Sequence, residues 1–360
     1  MSKRIGILTS GGDCAGLNAA IGGAVHRAVE GYGWQVIGLR EGTAGLLRRP
    51  IDCEPLDPRS FNGMVVRQGG TVLGTTNRGD PFAYPMPDGT LKDRSEEIIA
   101  GYRELKLDAL IGIGGDGSLA ILRRLARQGD FPLIGVPKTI DNDLGATEFS
   151  LGYATAVDVA TSALDMLQPT AASHSRVMIL EVMGRDAGHI ALAAGIAGSA
   201  DIVLIPEIPY TLAAIAAKIE ALRAGGRNFA LAIVAESVKR EDGESAKVTH
   251  TSGEKRYGGI GNYLADRIAE TTRAETRVTV LGHVQRGAAP SATDRLMGQV
   301  FGVKAVDLIA EGKHDRMVAW RHRTVVDVPI EDAIRQYQVI DPQGMLVQAA
   351  RGLTICLGDR

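Results

Sequence analysis

Aromatic residues are scarce in this chain, at 4% of 360 residues, whereas glycines number 45. The core must therefore be built from Val, Ile, Leu and Ala, and many turns need a backbone without a Cβ. Cysteine is also sparse. Cys14, Cys53 and Cys356 lie far apart, with no CxxC or Cys/His spacing. That argues against a disulfide framework and a structural zinc site. No apolar run reaches the roughly 18 residues expected of a spanning helix, so no membrane partner is expected. The N-terminal Met-Ser-Lys-Arg-Ile-Gly-Ile-Leu enters a strand-like segment directly, without an apolar h-region or cleavage site, and the expected compartment is the cytoplasm. Neither sign of charge dominates, since the formal net charge is −2. No basic field points to a nucleic-acid partner, so any anion site must be local. A GxxxxGK[ST] loop is absent, which excludes a Walker-type phosphate site.

What is present is an alternation of short apolar runs and helical patterns, the mark of an α/β fold with a mostly parallel sheet. Length alone suggests two domains. Strands are expected at Arg4–Thr9, Gln35–Leu39, Ala109–Ile113, Pro132–Val136, Val177–Val182, Ile202–Ile205, Ala230–Ala235 and Val278–Leu281. A helix should follow Gly16, with Leu17, Ile21, Ala24 and Ala28 on one face. Another should begin near Ser118, with Leu119, Leu122 and Leu125 inward and Gly129 as its stop. A third is expected from Ala154 to Leu167, ending before Pro169. A late helix, Ala292–Ala310, should turn Leu296, Val300, Val303, Val306 and Ile309 inward. The polar stretch Glu241–Lys255 reads as a surface loop.

Five motifs carry chemistry. Thr9-Ser10-Gly11-Gly12-Asp13 joins a strand to a helix, where glycine lets a phosphate approach the backbone and the helix N-terminus favours its charge. Gly112-Ile113-Gly114-Gly115-Asp116-Gly117-Ser118 matches GxGxxG, yet the next strand closes with Pro137-Lys138 rather than the acidic residue a dinucleotide ribose needs. The better reading is a nucleotide-phosphate cradle, with Asp116 as the carboxylate that holds magnesium. Pro137-Lys138-Thr139-Ile140-Asp141-Asn142-Asp143 sets two carboxylates beside a Thr and a Lys, and in an extended segment Asp141 and Asp143 would point the same way. Phosphoryl transfer to an alcohol needs such a carboxylate as proton acceptor and cations to stabilise the moving group. Glu181-Val182-Met183-Gly184-Arg185-Asp186-Ala187-Gly188 and Thr276-Arg277-Val278-Thr279-Val280-Leu281-Gly282-His283-Val284-Gln285-Arg286-Gly287 add arginines at strand ends, and Arg176 precedes another strand. Arg is the usual choice for bidentate grip on phosphate. Singly, each motif also reads as a tight turn, an Asx-rich turn or a surface ion pair.

Together and in this order, the motifs resemble the phosphofructokinase family, from Arg4 to about Ile309. The strings Pro-Lys-Thr-Ile-Asp-Asn-Asp and Leu-Gly-His-Val-Gln-Arg-Gly are its most specific marks. The resemblance implies two three-layer α/β domains with mostly parallel sheets. A donor-binding domain is expected over residues 1–152 and 285–335, and a sugar-phosphate-binding domain over residues 153–284 and 336–360. It implies ATP-dependent phosphorylation of fructose 6-phosphate in glycolysis. Asp141 would be general base, with Thr139 orienting the region, Asp143 supporting the same loop and Arg185 stabilising the transferring phosphoryl group. Gly12, Gly115, Gly117 and Ser118 would line the nucleotide phosphates, and Asp116 would organise magnesium. Met183, Gly184, Glu236, His283 and Arg286 would meet the sugar phosphate. Arg176 and Arg277 resemble arginines that reach the site of a neighbouring subunit, so a homo-oligomer, a tetramer by family, is expected.

The donor follows from residue size at Gly117 and charge at Lys138. Pyrophosphate-dependent relatives carry Asp at the first position, which would crowd a nucleotide α-phosphate, and Lys at the second. Gly117 favours ATP, and a pyrophosphate-dependent enzyme is the alternative. Sedoheptulose 7-phosphate and tagatose 6-phosphate are alternative acceptors, and a non-catalytic sensor is disfavoured because Asp116, Asp141 and Arg185 are all present. Asn77 stands where the family usually has a donor-contacting Arg, and the adjacent Arg78 is expected to substitute. Gly22, His26 and Gln168 occupy effector-arginine positions, so control by ADP or phosphoenolpyruvate is expected to be absent.

Overall fold

The computed structural model describes residues 2–77, 79–249 and 255–360. In chain order its main strands are β1 (Arg4–Thr9), β2 (Gln35–Leu39), β3 (Cys53–Pro55), β4 (Ala109–Gly114), β5 (Leu133–Pro137), β6 (Val177–Val182), β7 (Ile202–Leu204), β8 (Ala230–Ala235), β9 (Thr276–Val280), β10 (Arg316–Arg321) and β11 (Thr324–Pro329). The helices used below are α1 (Leu17–His26), α2 (Asp116–Gly129), α3 (Tyr153–His174), α4 (His189–Ala197) and α5 (Ala292–Ala310). The chain divides into two compact units, Met1–Thr155 with Arg286–Tyr337, and Ala156–Gln285 with Gln338–Arg360.

The first unit holds a sheet in the order β11-β10-β5-β4-β1-β2-β3. The inner pairs are parallel, whereas β2/β3 and β10/β11 are antiparallel. β4 and β5 are buried along their whole length, as continuous apolar runs in a parallel sheet require. Leu119, Leu122 and Leu125 of α2 pack into the core with Leu110, Leu133 and Met317, as their spacing predicts. The helix ends one residue later than expected, because Asp130 rather than Gly129 takes the left-handed φ of 50°. The β10/β11 hairpin was not legible. Its turn uses His322 and Arg323 at φ 49° and 64°, where Asn-Gly would have signalled it.

The expected inward face of α5 holds in part. Val306 and Ile309 are buried and Val300 and Val303 half-buried, but Leu296 is exposed, and the buried face also takes in Asp294, Met297, Gly298, Phe301, Gly302, Ala305 and Leu308. Small residues bring α5 against α1. A Cβ on Gly302 would lie 2.1 Å from the Ala20 carbonyl oxygen, and one on Gly298 would lie 2.8 Å from that of Gly16.

In the second unit the sheet order is β9-β6-β8-β7, all parallel. β9 begins two residues before the expected strand, and as an edge strand it stays half-exposed. α3 runs through Pro169 to His174 instead of stopping before it. Proline there cannot donate to the preceding turn, yet Leu164 and Ala171 are buried on either side and anchor both halves. Part of the expected Glu241–Lys255 loop is a ladder, with Lys247–Thr249 antiparallel to Lys255–Tyr257. Residues 250–254 lie outside the described residues. The C-terminal segment continues the sheet past β7, where Ile202 pairs with Cys356. Among the described residues, no helix is long and apolar enough to cross a membrane.

Candidate active site

In the first unit, three strands deliver their following loops to one edge of the sheet. The Ser10 amide donates to the Ile113 carbonyl at 2.9 Å, the Lys138 amide to the Gly114 carbonyl at 3.1 Å, and the Gly11 amide to the Thr76 carbonyl at 2.9 Å. These bonds fasten the loops after β1, β4 and β5 together, at the carboxyl ends of the strands, where open α/β sheets bind ligands. Gly11 has a φ of 86°, and a Cβ there would lie 2.9 Å from the Ser118 hydroxyl and 3.2 Å from Lys138 Nζ. A Cβ on Gly12 would lie 2.3 Å from the Arg286 guanidinium. Ser118, Lys138 and Arg286 thus close on the loop, and the positive φ of Gly11 favours glycine there. Gly117 differs, since nothing lies within 4 Å of a Cβ built there.

Lys138 is buried and donates from Nζ to the Gly12 carbonyl at 2.5 Å. Burial holds its ammonium below the usual lysine range, opposed in part by the nearby Cys14, Asp141 and Asp13. Burial likewise pushes the Cys14 thiol up to about 12. Asp116 opens α2, capped by Gly115 without a side-chain bond, so a carboxylate stands at the positive end of the helix dipole. No group of three or more His, Cys, Asp or Glu able to hold a metal occurs among the described residues. A single carboxylate still fits magnesium, which keeps waters and takes phosphate oxygens as its other ligands.

The segment from Asp141 to Asp143 does not run extended as expected, because the chain turns at Ile140-Asp141 and Asn142 has a φ of 53°. Asp141 and Asp143 are both buried. The Asp141 amide donates to the Thr139 hydroxyl oxygen at 3.1 Å, and that hydroxyl donates to Asp141 Oδ2 at 3.3 Å. A cavity of about 430 Å3 lies beside Thr76, lined by Glu41, Arg48, Gly79, Tyr84 and Arg94 among others. Arg78 lies outside the described residues.

In the second unit, the ends of β6, β8 and β9 hold the remaining candidates. The Met183 amide donates to Gln285 Oε1 at 2.8 Å. The Gly184 and Arg185 amides both donate to Glu236 Oε1, at 3.3 and 3.1 Å. Arg185 is held at φ 52°, and its Nε lies 3.9 Å from the Asp186 carboxylate. His283 is exposed. Arg176 and Arg277 both pair with Glu275, the first at 2.8 Å. That shared carboxylate holds two cations together at the start of an edge strand.

The family model described as Phosphofructokinase matches residues 4–309. Over 357 residues the chain is 63% identical to a protein of Synechocystis sp. named ATP-dependent 6-phosphofructokinase 1, covering 99% of each. It is 60% identical over 358 residues to the protein of that name from Nostoc sp., again over 99% of each.

The chain belongs to the phosphofructokinase family.

Solved structures agree on the fold. A phosphofructokinase from Saccharomyces cerevisiae superposes with a TM-score of 0.78 at 28% identity, over 93% of this chain and 45% of the yeast chain. This chain therefore spans under half of that yeast protein. A pyrophosphate-dependent phosphofructokinase from Nitrosospira multiformis superposes with a TM-score of 0.80 at 21% identity, over 100% of this chain and 93% of that one. At that identity the likeness concerns the fold alone.

Against the phosphofructokinase motifs, the structure adds residues the sequence reading did not single out. Gln285 sits inside a recognised motif and is fully buried, a signal that its amide serves the interior. Asn18 is buried and bridges the loop before the Thr75-Thr76 segment, accepting from the Val72 amide at 2.8 Å and donating to the Gln68 carbonyl at 3.2 Å. Ser150, also fully buried, had no signal in the sequence.

Proposed function

We propose that this phosphofructokinase transfers the γ-phosphoryl group of ATP to the 1-hydroxyl of fructose 6-phosphate, giving fructose 1,6-bisphosphate and ADP in cytoplasmic glycolysis. The observation that carries the donor choice is the open space at Gly117, next to the loop on which Gly11, Gly12, Ser118 and Lys138 converge. A nucleotide α-phosphate and the sugar beyond it need that space, whereas pyrophosphate does not. The cavity lined by Tyr84 and Arg94 offers room for a nucleoside. The names of the most similar proteins agree with ATP as donor.

Each residue then has a task. Gly12, Gly115, Gly117 and Ser118 hold the donor phosphates at the N-terminus of α2, and Arg78, by its place in the sequence, is a further donor contact. Asp116 would hold magnesium, which supplies charge neutralisation across the phosphate oxygens when bound. Asp141 accepts the proton of the attacking hydroxyl, with its Oδ2 oriented by Thr139. Asp143 braces the same turn. Arg185 stabilises charge on the transferring group. Met183, Gly184, Glu236, His283 and Arg286 hold the sugar phosphate, and Arg176 with Arg277 serve the 6-phosphate of a neighbouring subunit in a homotetramer. Control by ADP or phosphoenolpyruvate is absent in this reading. In support, a Cβ on Gly22 would lie 3.2 Å from Phe61, so any larger residue there would press on that ring.

One observation favours the pyrophosphate alternative. Lys138 places a buried amine on the donor loop, where it could neutralise a compact donor. Donor comparison decides between them. Purified protein receives fructose 6-phosphate and magnesium with either ATP or pyrophosphate, and fructose 1,6-bisphosphate is measured directly. Product with ATP alone is expected. Product mainly with pyrophosphate would overturn the Gly117 argument. Product with neither would turn the search to sedoheptulose 7-phosphate or tagatose 6-phosphate.

A further inference from the structure

Asp141 sits in a turn that two other side chains hold shut. Ser150 is fully buried, and its hydroxyl donates to the Thr139 carbonyl at 2.7 Å. Its amide donates to Asn142 Oδ1 at 3.0 Å, and its Oγ lies 3.1 Å from the same oxygen. A serine hydroxyl has one proton, and the shorter contact assigns it to Thr139. One buried residue therefore grips both ends of the Thr139-to-Asn142 turn. At the first end, the Thr139 hydroxyl itself contacts Asp141 Oδ2 at 3.3 Å. At the other end, Asn142 holds a φ of 53°, a left-handed conformation that Asn tolerates better than most residues but that still costs energy. The bonds to Ser150 fix this conformation from outside the turn.

We propose that Asn142 and Ser150 are positioning residues for the Asp141 carboxylate. They touch no reacting atom. They set where the base stands by fixing the backbone on both sides of it. The inference rests on the reading of Asp141 as general base. Without Ser150 the turn keeps its sequence but loses the grip on Thr139, and with it the hydroxyl that orients Oδ2. Near-attack geometry is sensitive to such slack, since a misplacement of about 1 Å costs about a hundred-fold in rate. The bonds of Ser150 do not reach the donor loop around Gly11 and Gly12, nor the Gly184-Arg185 amides. Binding of either substrate should accordingly survive their loss.

Steady-state kinetics on Ser150→Ala, Ser150→Thr and Asn142→Gly test this, with thermal melting run alongside. Ser150→Ala should lower kcat by about ten-fold or more, with KM for sugar phosphate and donor within about two-fold. Ser150→Thr keeps the hydroxyl and should recover most of the loss. Asn142→Gly suits the positive φ but removes Oδ1, so it should fall with Ser150→Ala. A kcat within about two-fold of the parent for both Ser150→Ala and Asn142→Gly, whatever happens to the melting temperature, would overturn the proposal. Should Ser150→Ala fail to fold, Asn142→Gly alone decides by the same criterion. Asp141→Asn separates the two readings. If that variant keeps its turnover, the assignment of the base fails; if it loses turnover while Ser150→Ala and Asn142→Gly do not, only the positioning role fails.

Discussion

At Gly117 a Cβ would meet nothing within 4 Å, so a side chain can be added there without disturbing the fold. That makes Gly117→Asp a clean test of electrostatics. A carboxylate about 4 Å from a donor phosphate repels it by about 4 kcal/mol at an effective dielectric near 20. The variant should therefore lose about two to three orders of magnitude in kcat/KM for ATP, with the melting temperature little changed. Unchanged ATP turnover would show that the donor does not pass this residue. Lys138 makes the opposite contribution, a buried amine anchored on the Gly12 carbonyl. The glycines of the two phosphate motifs were legible in the sequence, as was the presence of a carboxylate turn after β5. The partners of those glycines were not, because Ser118, Lys138 and Arg286 come from distant stretches of chain and meet only when the sheet forms.

Among elements, the α1–α5 contact shows how packing can reverse a propensity argument. In an exposed helix, Gly→Ala stabilises by up to about 1 kcal/mol. On α5 the sign should change. A Cβ on Gly302 would lie 2.1 Å from the Ala20 carbonyl oxygen and 2.7 Å from the Ala24 amide nitrogen, both rigid helix backbone. Gly302→Ala should destabilise by about 1 to 3 kcal/mol, as overpacking does, read by urea unfolding of the intact protein. A rise in stability would mean that the helices separate at little cost. The same element shows where sequence periodicity failed. The expected inward residues were the large ones, yet Leu296 is exposed while Gly298 and Gly302 are buried. Hydrophobicity marks what gains from leaving water, and it cannot mark positions that are buried because only a small residue fits. Asp294 was missed for a related reason. It is fully buried at the start of α5 and accepts from the Gly152 and Thr155 amides, both at 2.8 Å.

For the whole molecule, the proposed roles of Arg176 and Arg277 require more than one chain. Both arginines pair with Glu275, which precedes the edge strand of the second unit's sheet; Arg277 is exposed and Arg176 partly buried. Co-expression tests whether they act across subunits. An Arg176→Ala/Arg277→Ala chain and an Asp141→Ser chain should each be nearly inactive alone. Together they should recover activity, because some sites in mixed oligomers then carry neither defect. No recovery, with mixed oligomers shown by mass measurement, would place the arginines in service of their own subunit.

The sequence by itself determined the family, the α/β class, most of the parallel strands and the glycine loops that follow them. Those features are written in contiguous residues, where periodicity and turn chemistry act locally. The tertiary structure decided which buried polar group answers which backbone group: Ser150 for the Thr139 carbonyl in the Asp141 turn, Gln285 for the Met183 amide, and Asn18 for the Val72 amide. It also decided the close approach of α1 and α5 through glycine. Such pairings depend on distances between segments far apart in the chain. A lone Ser, Gln or Gly does not announce its partner, because a buried hydrogen bond or close contact belongs to two residues at once.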